Sequence, residues 1–162
     1  MLINDQNGWI ELETFDTTLY KGMLLEELQQ TAFYKEKYYN MRDVTTGYFW
    51  YCFNTIEVQG YQVYFQLCFW GDQLHSIHMN TSENGDAKDW KDWSEEKEMQ
   101  VFYRNNRFLS LILGAAPTRK EKTPYPRCLF RFSWGEVWSV YDPRSASSLM
   151  GIHYKEEEED KI

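Results

Sequence analysis

The chain has 162 residues, which is enough for one domain with a sizeable hydrophobic core. Hydrophobic residues make up 43% and charged residues 26% of it, and no run approaches the roughly 20 apolar residues of a membrane span, which argues against a disordered chain and a membrane protein. The net charge is -8 and basic residues form only short clusters, which argues against nucleic acid as the partner.

Periodicity and turn residues predict the elements along the chain. They are a strand near 9-15, a short N-terminal helix over about 23-33, a tyrosine-rich connection over 34-47, strands near 48-58, 61-70 and 73-80, a long helix over about 92-113, and strands near 128-141 and 148-154. Asp92 is the expected N-cap of the long helix and Gly114 its C-cap.

This order of elements predicts a single α+β domain over residues 1-154, in which a mainly antiparallel sheet packs against the long helix. Residues 155-162, KEEEEDKI, form an acidic tail that we expect to be frayed. Gly135 interrupts the alternation of 128-141, and the sequence leaves open whether this stretch is one bulged strand or two.

Two short turns predict a register for the three central strands. Gln59-Gly60 and Gly71-Asp72 suit two-residue hairpin loops, because glycine accepts positive φ at no steric cost. An uninterrupted second hairpin places Cys68 opposite His75 on one face. The other face is then apolar and carries Trp50, Cys52, Asn54, Ile56, Val58, Tyr61, Val63, Phe65, Leu67, Phe69, Leu74, Ser76, His78 and Asn80.

The second face of this predicted sheet mixes polar residues with aromatic rings. The chain has 29 aromatic residues against 26 leucines, isoleucines and valines, so some rings must reach the surface. Aromatic residues are preferred anchors of protein interfaces. We expect binding through five residues of this face, with a cover by the helix over 23-33 as the alternative: Phe49, Tyr51, Tyr64, Trp70 and His75.

Cys68 and His75 are the candidates for catalysis, because a thiol beside an imidazole can ionise and act as a nucleophile. The alternative is a half-buried cysteine that happens to adjoin a surface histidine. No third orienting group is evident, and the GxSxG, GxGxxG and GxxxxGK[ST] motifs are absent. The sequence therefore favours a protein that is not an enzyme.

Metal and cofactor signals are absent from the sequence. His75 and His78 are three residues apart on a predicted strand and point to opposite faces, and there is no CxxC or HExxH. We expect no metal and no cofactor. The first residues lack the basic and apolar regions of a signal peptide, and an odd number of cysteines suits free thiols, so we expect a cytoplasmic protein.

Two segments in the last two-fifths of the chain carry a resemblance. One is WGEVWSVYDPRS at 134-145, followed by IHY at 152-154, and the other is WKDWSEE at 90-96. They resemble small uncharacterised bacterial proteins with a WGxVxSxYDPRS-like ending. Many small, acidic, single-domain bacterial proteins are immunity partners of secreted toxins. The resemblance therefore implies such a role only by analogy with proteins of this general kind.

These observations favour a non-enzymatic binding protein of immunity or antitoxin type that masks a basic protein partner. The alternative is a small-molecule-binding domain or enzyme with an aromatic pocket between the sheet and the long helix. Asn54, Ser76 and His78 would then orient the ligand from the apolar face, or else make local hydrogen bonds.

Overall fold

The computed structural model describes residues 1-156 of the chain, so most of the predicted acidic tail, residues 157-162, lies outside the described residues. The strands are β1 (Leu2–Ile3), β2 (Ile10–Leu12), β3 (Thr17–Leu19), β4 (Tyr38–Asp43), β5 (Tyr48–Phe53), β6 (Ile56–Val58), β7 (Tyr61–Trp70), β8 (Gln73–Ser82), β9 (Arg119–Glu121), β10 (Arg127–Phe132), β11 (Gly135–Asp142) and β12 (Ser147–Tyr154). The helices are α1 (Leu25–Gln29), α2 (Ala32–Lys37) and α3 (Glu95–Leu113).

Most strands belong to one antiparallel sheet in the order β4-β5-β7-β8-β12-β11-β10-β9, and β6 also pairs with β7. Strands β1, β2 and β3 form a separate small sheet. The chain leaves the large sheet after β8, runs through α3, and returns so that β12 pairs with β8. This architecture confirms the predicted α+β class. Across residues 1-156, none of the helices is both long and apolar enough to cross a membrane.

One face of the large sheet, which we call the core face, packs against the helices and the small sheet. Phe33 of α2 stacks on Phe53, with ring centroids 4.5 Å apart, and Phe108 of α3 contacts Tyr61 at 5.3 Å. The hydrophobic effect stabilises the fold by about 2 kcal/mol for each such side chain removed from water. The bulkiest fully buried side chains are Phe33, Phe53, Phe65, Phe69, Phe108 and Phe130.

Helix α3 begins later than the sequence predicts. Its N-cap is Ser94 rather than Asp92, because the Ser94 hydroxyl accepts a hydrogen bond from the backbone N–H of Lys97 at 3.1 Å. The Asp92 carboxylate instead pairs with the ammonium group of Lys97. The predicted C-terminal end is confirmed: Gly114 has a φ of 61°, which glycine adopts without steric cost.

The N-terminal half contains more elements than predicted. The single helix over 23-33 is two short helices, because Thr31 is extended and caps α2 by accepting a hydrogen bond from the Tyr34 backbone N–H. The predicted strand over 9-15 is β2 followed by a 3-10 turn. The stretch 34-47, predicted as a connection, contains the edge strand β4.

Two predicted strands are each divided in the structure. Residues 128-141 form the β10-β11 hairpin, and Gly135 begins β11 where a Cβ atom would lie 2.1 Å from the carbonyl oxygen of His153. Residues 48-58 form β5 and β6, separated at Asn54 and Thr55.

The chain slips by one residue between β6 and β5. Ile56 pairs with Val63, as the two-residue turn predicts, but Cys52 pairs with Gln66 instead of Leu67. Because side chains alternate along a strand, the slip reverses the two faces of β5 relative to the prediction. It places three aromatic residues on the core face: Phe49, Tyr51 and Phe53.

A β-bulge at His75 is the second departure from the predicted register. Phe69 pairs with Leu74, whereas Cys68 pairs with Ser76, so His75 has no partner across this ladder. Beyond the bulge, the two faces of β8 are also reversed relative to the prediction. The core face there carries Ile77, Met79 and Thr81, and the opposite face carries Ser76, His78 and Asn80.

Candidate functional site

The helices of residues 1-156 pack on the core face, and we call the opposite side of the large sheet the open face. The strand registers define its members in β5, β7, β8, β12, β11 and β10: Tyr48, Trp50, Cys52, Gln62, Tyr64, Gln66, Cys68, Trp70, Ser76, His78, Asn80, Ser82, Ser147, Leu149, Gly151, His153, Glu136, Trp138, Val140, Asp142, Arg127, Leu129 and Arg131. In β5, β7, β8 and β12 none of these side chains is a carboxylate. The centre of the open face is therefore aromatic and free of negative charge on a chain of net charge -8.

A row of rings crosses the centre of the open face. The ring centroids of Trp50 and His78 are 4.6 Å apart, and those of His78 and Trp138 are 5.3 Å apart. Trp138 lies against Gly151, where a Cβ atom would come within 2.1 Å of the indole. Only a residue without a side chain leaves room for this ring.

His78 is neutral at physiological pH. Burial lowers its pKa to about 4, because the imidazolium form loses hydration inside the row of rings. The centre of the open face is thus uncharged as well as aromatic.

Trp70 forms an exposed aromatic corner at the β7-β8 turn. Its side chain is 53% exposed, its ring centroid lies 4.5 Å from that of Tyr48, and it covers Gly47, where a Cβ atom would be 2.7 Å from the indole. His75 stands beside Tyr48 at 5.4 Å and shares a hydrogen bond of 2.6 Å with the Ser76 hydroxyl. Packing therefore holds Trp70 in one position although half of it meets water.

Tyr64 lies at the other end of β7, where the open face meets the segment that follows β8. Its hydroxyl accepts a hydrogen bond from the Asn80 amide at 3.1 Å, and that amide also donates to the Ser148 carbonyl at 2.9 Å. A surface cavity of about 340 Å³ at this point is lined by Tyr64 together with carboxylates of the next segment: Glu83, Asp86 and Glu98.

Residues 83-98, which we call the acidic segment, contain seven carboxylates and three lysines. Trp90 is 76% exposed in the middle of this segment. Trp93 is half-buried, and its indole N–H donates to the Ala146 carbonyl at 3.0 Å. Trp90 is thus an exposed aromatic ring within a stretch of sequence rich in carboxylates.

Arg104 of α3 fixes the start of the acidic segment. Its side chain is almost completely buried and donates to both carboxylate oxygens of Asp86, at 2.8 and 2.6 Å. It also donates to the Thr81 hydroxyl at 2.9 Å and the Thr81 carbonyl at 3.0 Å. The end of the segment is fixed by Glu98, whose carboxylate accepts a hydrogen bond from the Ser148 backbone N–H at 2.8 Å.

The far side of the open face, at β9 and β10, is basic. Arg119 and Arg131 are 59% and 54% exposed, and Arg127 lies on the same face of β10 as Arg131, four residues before it. Glu121 and Glu136 are the carboxylates nearest to these three arginines, so this edge keeps a positive excess. The two sides of the open face therefore carry opposite charge.

The five predicted binding residues lie on different faces. Phe49 and Tyr51 point to the core face, so their placement on the mixed face was wrong, and the one-residue slip before β6 is the reason. Tyr64 and Trp70 lie on the open face, and His75 is exposed at the bulge. The binding role of these three remains a prediction.

The predicted pairing of Cys68 with His75 is wrong. Cys68 pairs with Ser76, because the bulge moves His75 out of the ladder. The Cys68 side chain is buried, and burial raises the pKa of its thiol, which disfavours the nucleophilic thiolate. Within residues 1-156, no three histidine, cysteine, aspartate or glutamate side chains cluster as ligands for a metal ion.

The predicted pocket residues do not face α3. Ser76 and His78 lie on the open face, and Asn54 is exposed at the break between β5 and β6. This placement corrects their assignment to the apolar face. The space between the sheet and α3 is filled by buried side chains, among them Phe102, Phe108, Leu109 and Ile112.

Sequence reasoning missed Trp50, Trp90 and Trp138. Trp50 was assigned to the apolar face by the regular register. The sequence did contain a signal for the bulge. Apolar residues on one face of a regular strand are two residues apart, as Ile77 and Met79 are, but Leu74 and Ile77 are three apart, so one extra residue must lie between them. Trp90 and Trp138 lie in the two segments that carried the resemblance.

The fold and its face define an α+β protein with one large antiparallel sheet that is covered by helices on one side. It is similar to a chain in the solved structure of Rhs1-CT in complex with cognate immunity protein RhsI1, with a TM-score of 0.54 and 13% sequence identity over 96% of this chain and 87% of that chain. At this identity the likeness establishes the fold. No protein-family model and no curated protein matches the chain.

Proposed function

We propose that the chain is an immunity-type protein that binds a protein partner and masks it. The observation that carries this proposal is the open face, which is rich in tryptophan and tyrosine and has no carboxylate on β5, β7, β8 and β12. The centres of protein interfaces have this composition, because aromatic side chains bury a large area and desolvated charges are costly.

The fold likeness supports a protein partner over a small molecule. The similar chain comes from a structure in which an immunity protein is held in a protein complex. Buried side chains also fill the space between the sheet and the middle of α3, which favours an exposed binding surface over an enclosed ligand pocket there.

The charge of the chain supports a basic partner. The net charge is -8, and the acidic segment, which has seven carboxylates against three lysines, begins beside the open face at Tyr64. Opposite charge would speed the encounter by electrostatic steering, and aromatic anchors would slow dissociation. A basic surface is what a protein needs in order to act on nucleic acid or on a membrane, so masking such a surface would be sufficient for immunity.

The test is capture followed by neutralisation. The tagged chain is used as bait in lysate of the cells that naturally make it, at low and at high salt. We expect one basic protein to be retained more strongly at low salt. This protein is then expressed alone and together with the chain in a second bacterial host: we expect growth arrest alone and normal growth together. A retained protein that is harmless, or whose toxicity is unchanged by the chain, would contradict the proposal.

A further inference from the structure

We infer that the partner docks on one continuous footprint with two halves, the uncharged centre of the open face and the acidic segment beside it. The partner surface that fits this footprint is an apolar patch bordered by lysine and arginine. This inference rests on the proposed function and adds where the partner binds and what chemistry it presents.

The two halves are continuous at Tyr64. Its ring belongs to the open face, and its hydroxyl end lines the cavity shared with Glu83, Asp86 and Glu98. Burial raises the pKa of Tyr64, the hydrogen bond from Asn80 lowers it, and the neighbouring carboxylates of Glu98 and Asp86 raise it again, as expected of a hydroxyl close to the acidic segment. A partner on the centre of the sheet therefore lies beside these carboxylates.

The footprint is preformed. Arg104 holds Asp86 through two hydrogen bonds, Trp93 donates to the Ala146 carbonyl, and Glu98 accepts from the backbone of β12. The acidic segment is thus tied to both β8 and β12, the two strands at the centre of the open face. A surface that is already ordered loses less entropy on binding.

Charge gives the footprint a direction. The β9-β10 side of the open face exposes Arg119 and Arg131, which would repel a basic partner. The acidic segment runs from the cavity at Tyr64 across the end of the sheet to Trp93, which donates to Ala146 in the β11-β12 turn, and the Trp90 ring lies 6.2 Å from that of Trp93. A basic partner therefore extends from the central strands towards this end of the sheet and away from Arg119 and Arg131.

The size of the footprint matches one interface. Trp70 and Tyr64 are six residues apart on β7, which is about 20 Å along a strand. An interface of standard size buries about 800 Å² on each partner and is about 30 Å across, so one partner can cover both residues and reach the acidic segment. Trp70 and Trp90, with exposed fractions of 53% and 76%, are then the anchors at its two ends.

Site-specific photo-crosslinking in living cells tests the footprint even while the partner is unidentified. The photoreactive residue p-benzoylphenylalanine replaces one exposed aromatic residue at a time: Trp70 or Trp90 within the footprint, and Trp9 or Tyr103 as matched controls outside it, with exposures of 43% and 46%. A fifth variant carries it at Arg131, on the basic side of the open face. Each variant is first required to melt like the unmodified protein.

We expect light-dependent adducts with one protein of net positive charge from positions 70 and 90, and absence of that adduct at 9, 103 and 131. Adducts from positions 9 or 103 alone would overturn the footprint and leave the proposed function standing. An adduct from position 131 without one from position 90 would contradict the inference that the partner extends towards the acidic segment. An adduct that is digested by nuclease would show that the partner is a nucleic acid and would contradict the claim that it is a protein. The absence of an adduct at every position would contradict both the footprint and the proposed function.

Discussion

At the scale of single residues, Gly151 decides whether Trp138 can lie flat on the open face. In Gly151→Ala, the added Cβ would lie 2.1 Å from the indole, so the ring must leave its position against His78. We expect the free energy of unfolding to fall by about 1–3 kcal/mol and the near-ultraviolet tryptophan signal to change. Urea denaturation and circular dichroism measure both.

The matched control for this change is Gly85→Ala. A Cβ atom at Gly85 would meet nothing within 4 Å, so the urea midpoint should stay close to that of the unmodified protein. A Gly151→Ala protein as stable as this control, with an unchanged tryptophan signal, would show that Trp138 does not depend on the close approach.

His78 gives the stability of the protein a pH dependence of known sign. Its pKa is about 6.5 when unfolded and about 4 in the folded protein, so the unfolded state binds more protons between these values. The contribution of neutral His78 to the free energy of unfolding is therefore fully present above about pH 6.5, and it is lost as the pH drops towards 4. We expect His78 to account for a loss of about 2 kcal/mol between pH 7 and pH 4.5.

Comparison with His78→Gln isolates this contribution from that of the carboxylates. Unfolding free energies of both proteins are measured at pH 7 and pH 4.5, and the loss should be smaller in the variant. Equal losses in the two proteins, or an NMR titration of the His78 ring near pH 6.5, would contradict the burial of this imidazole.

At the scale of elements, Arg104 connects α3 to the acidic segment. In Arg104→Met, Asp86 loses its two charge-assisted hydrogen bonds, and Thr81 loses two more donors. We expect a loss of about 3 kcal/mol in stability, because the change leaves buried polar groups without partners. Trypsin should also cleave faster after Lys88 and Lys91, since the segment is no longer fixed.

Arg107→Met is the control for this prediction. Arg107 is exposed on the same helix, so its loss should change neither the urea midpoint nor the cleavage rate. Cleavage at Lys88 and Lys91 that is equally fast in all three proteins would show that Arg104 does not hold the segment.

The elements of this fold were largely predictable, whereas the faces of two strands were not. Turn residues and alternation located the β7-β8 hairpin, and the helical spacing located α3 to within three residues at its start. The stretch YFWYCF of β5 is apolar at every position, so its pattern cannot distinguish one register from the next. The slip between β5 and β6 therefore left no trace that binary patterning could detect.

The candidate site depended on these two irregularities. With a regular register, Trp50 and His78 belong to the core, and Phe49 and Tyr51 to the surface. A one-residue slip moves Trp50 to the open face and Phe49 and Tyr51 to the core face, and a one-residue bulge moves His78 to the open face. Each irregularity has this effect because successive side chains of a strand point to opposite faces. The motif segments gave the better guide, since Trp90 and Trp138 both lie in them.

At the scale of the whole molecule, the charge is divided between two sides of one sheet. The acidic segment lies beside β8 and the exposed arginines lie on β9 and β10, so a net charge of -8 conceals a basic edge. The uncharged row of rings lies between these sides. A basic partner is thereby attracted to one side and repelled by the other, which would fix its orientation on the sheet.

The central claim is that this surface neutralises a toxic protein partner, and growth rescue by anchor variants tests it most directly. The double variant Trp70→Ala with Trp90→Ala removes both proposed anchors, and Trp9→Ala with Tyr103→Ala removes two exposed rings elsewhere. Losing two anchors of about 2 kcal/mol each should weaken binding roughly 1,000-fold.

Growth of cells that express the partner is measured with each folded variant at equal amounts. We predict that the control variant, Trp9→Ala with Tyr103→Ala, rescues growth like the unmodified protein and that the Trp70→Ala, Trp90→Ala variant does not. Full rescue by the Trp70→Ala, Trp90→Ala variant would contradict the claim that the open face and the acidic segment mask the partner.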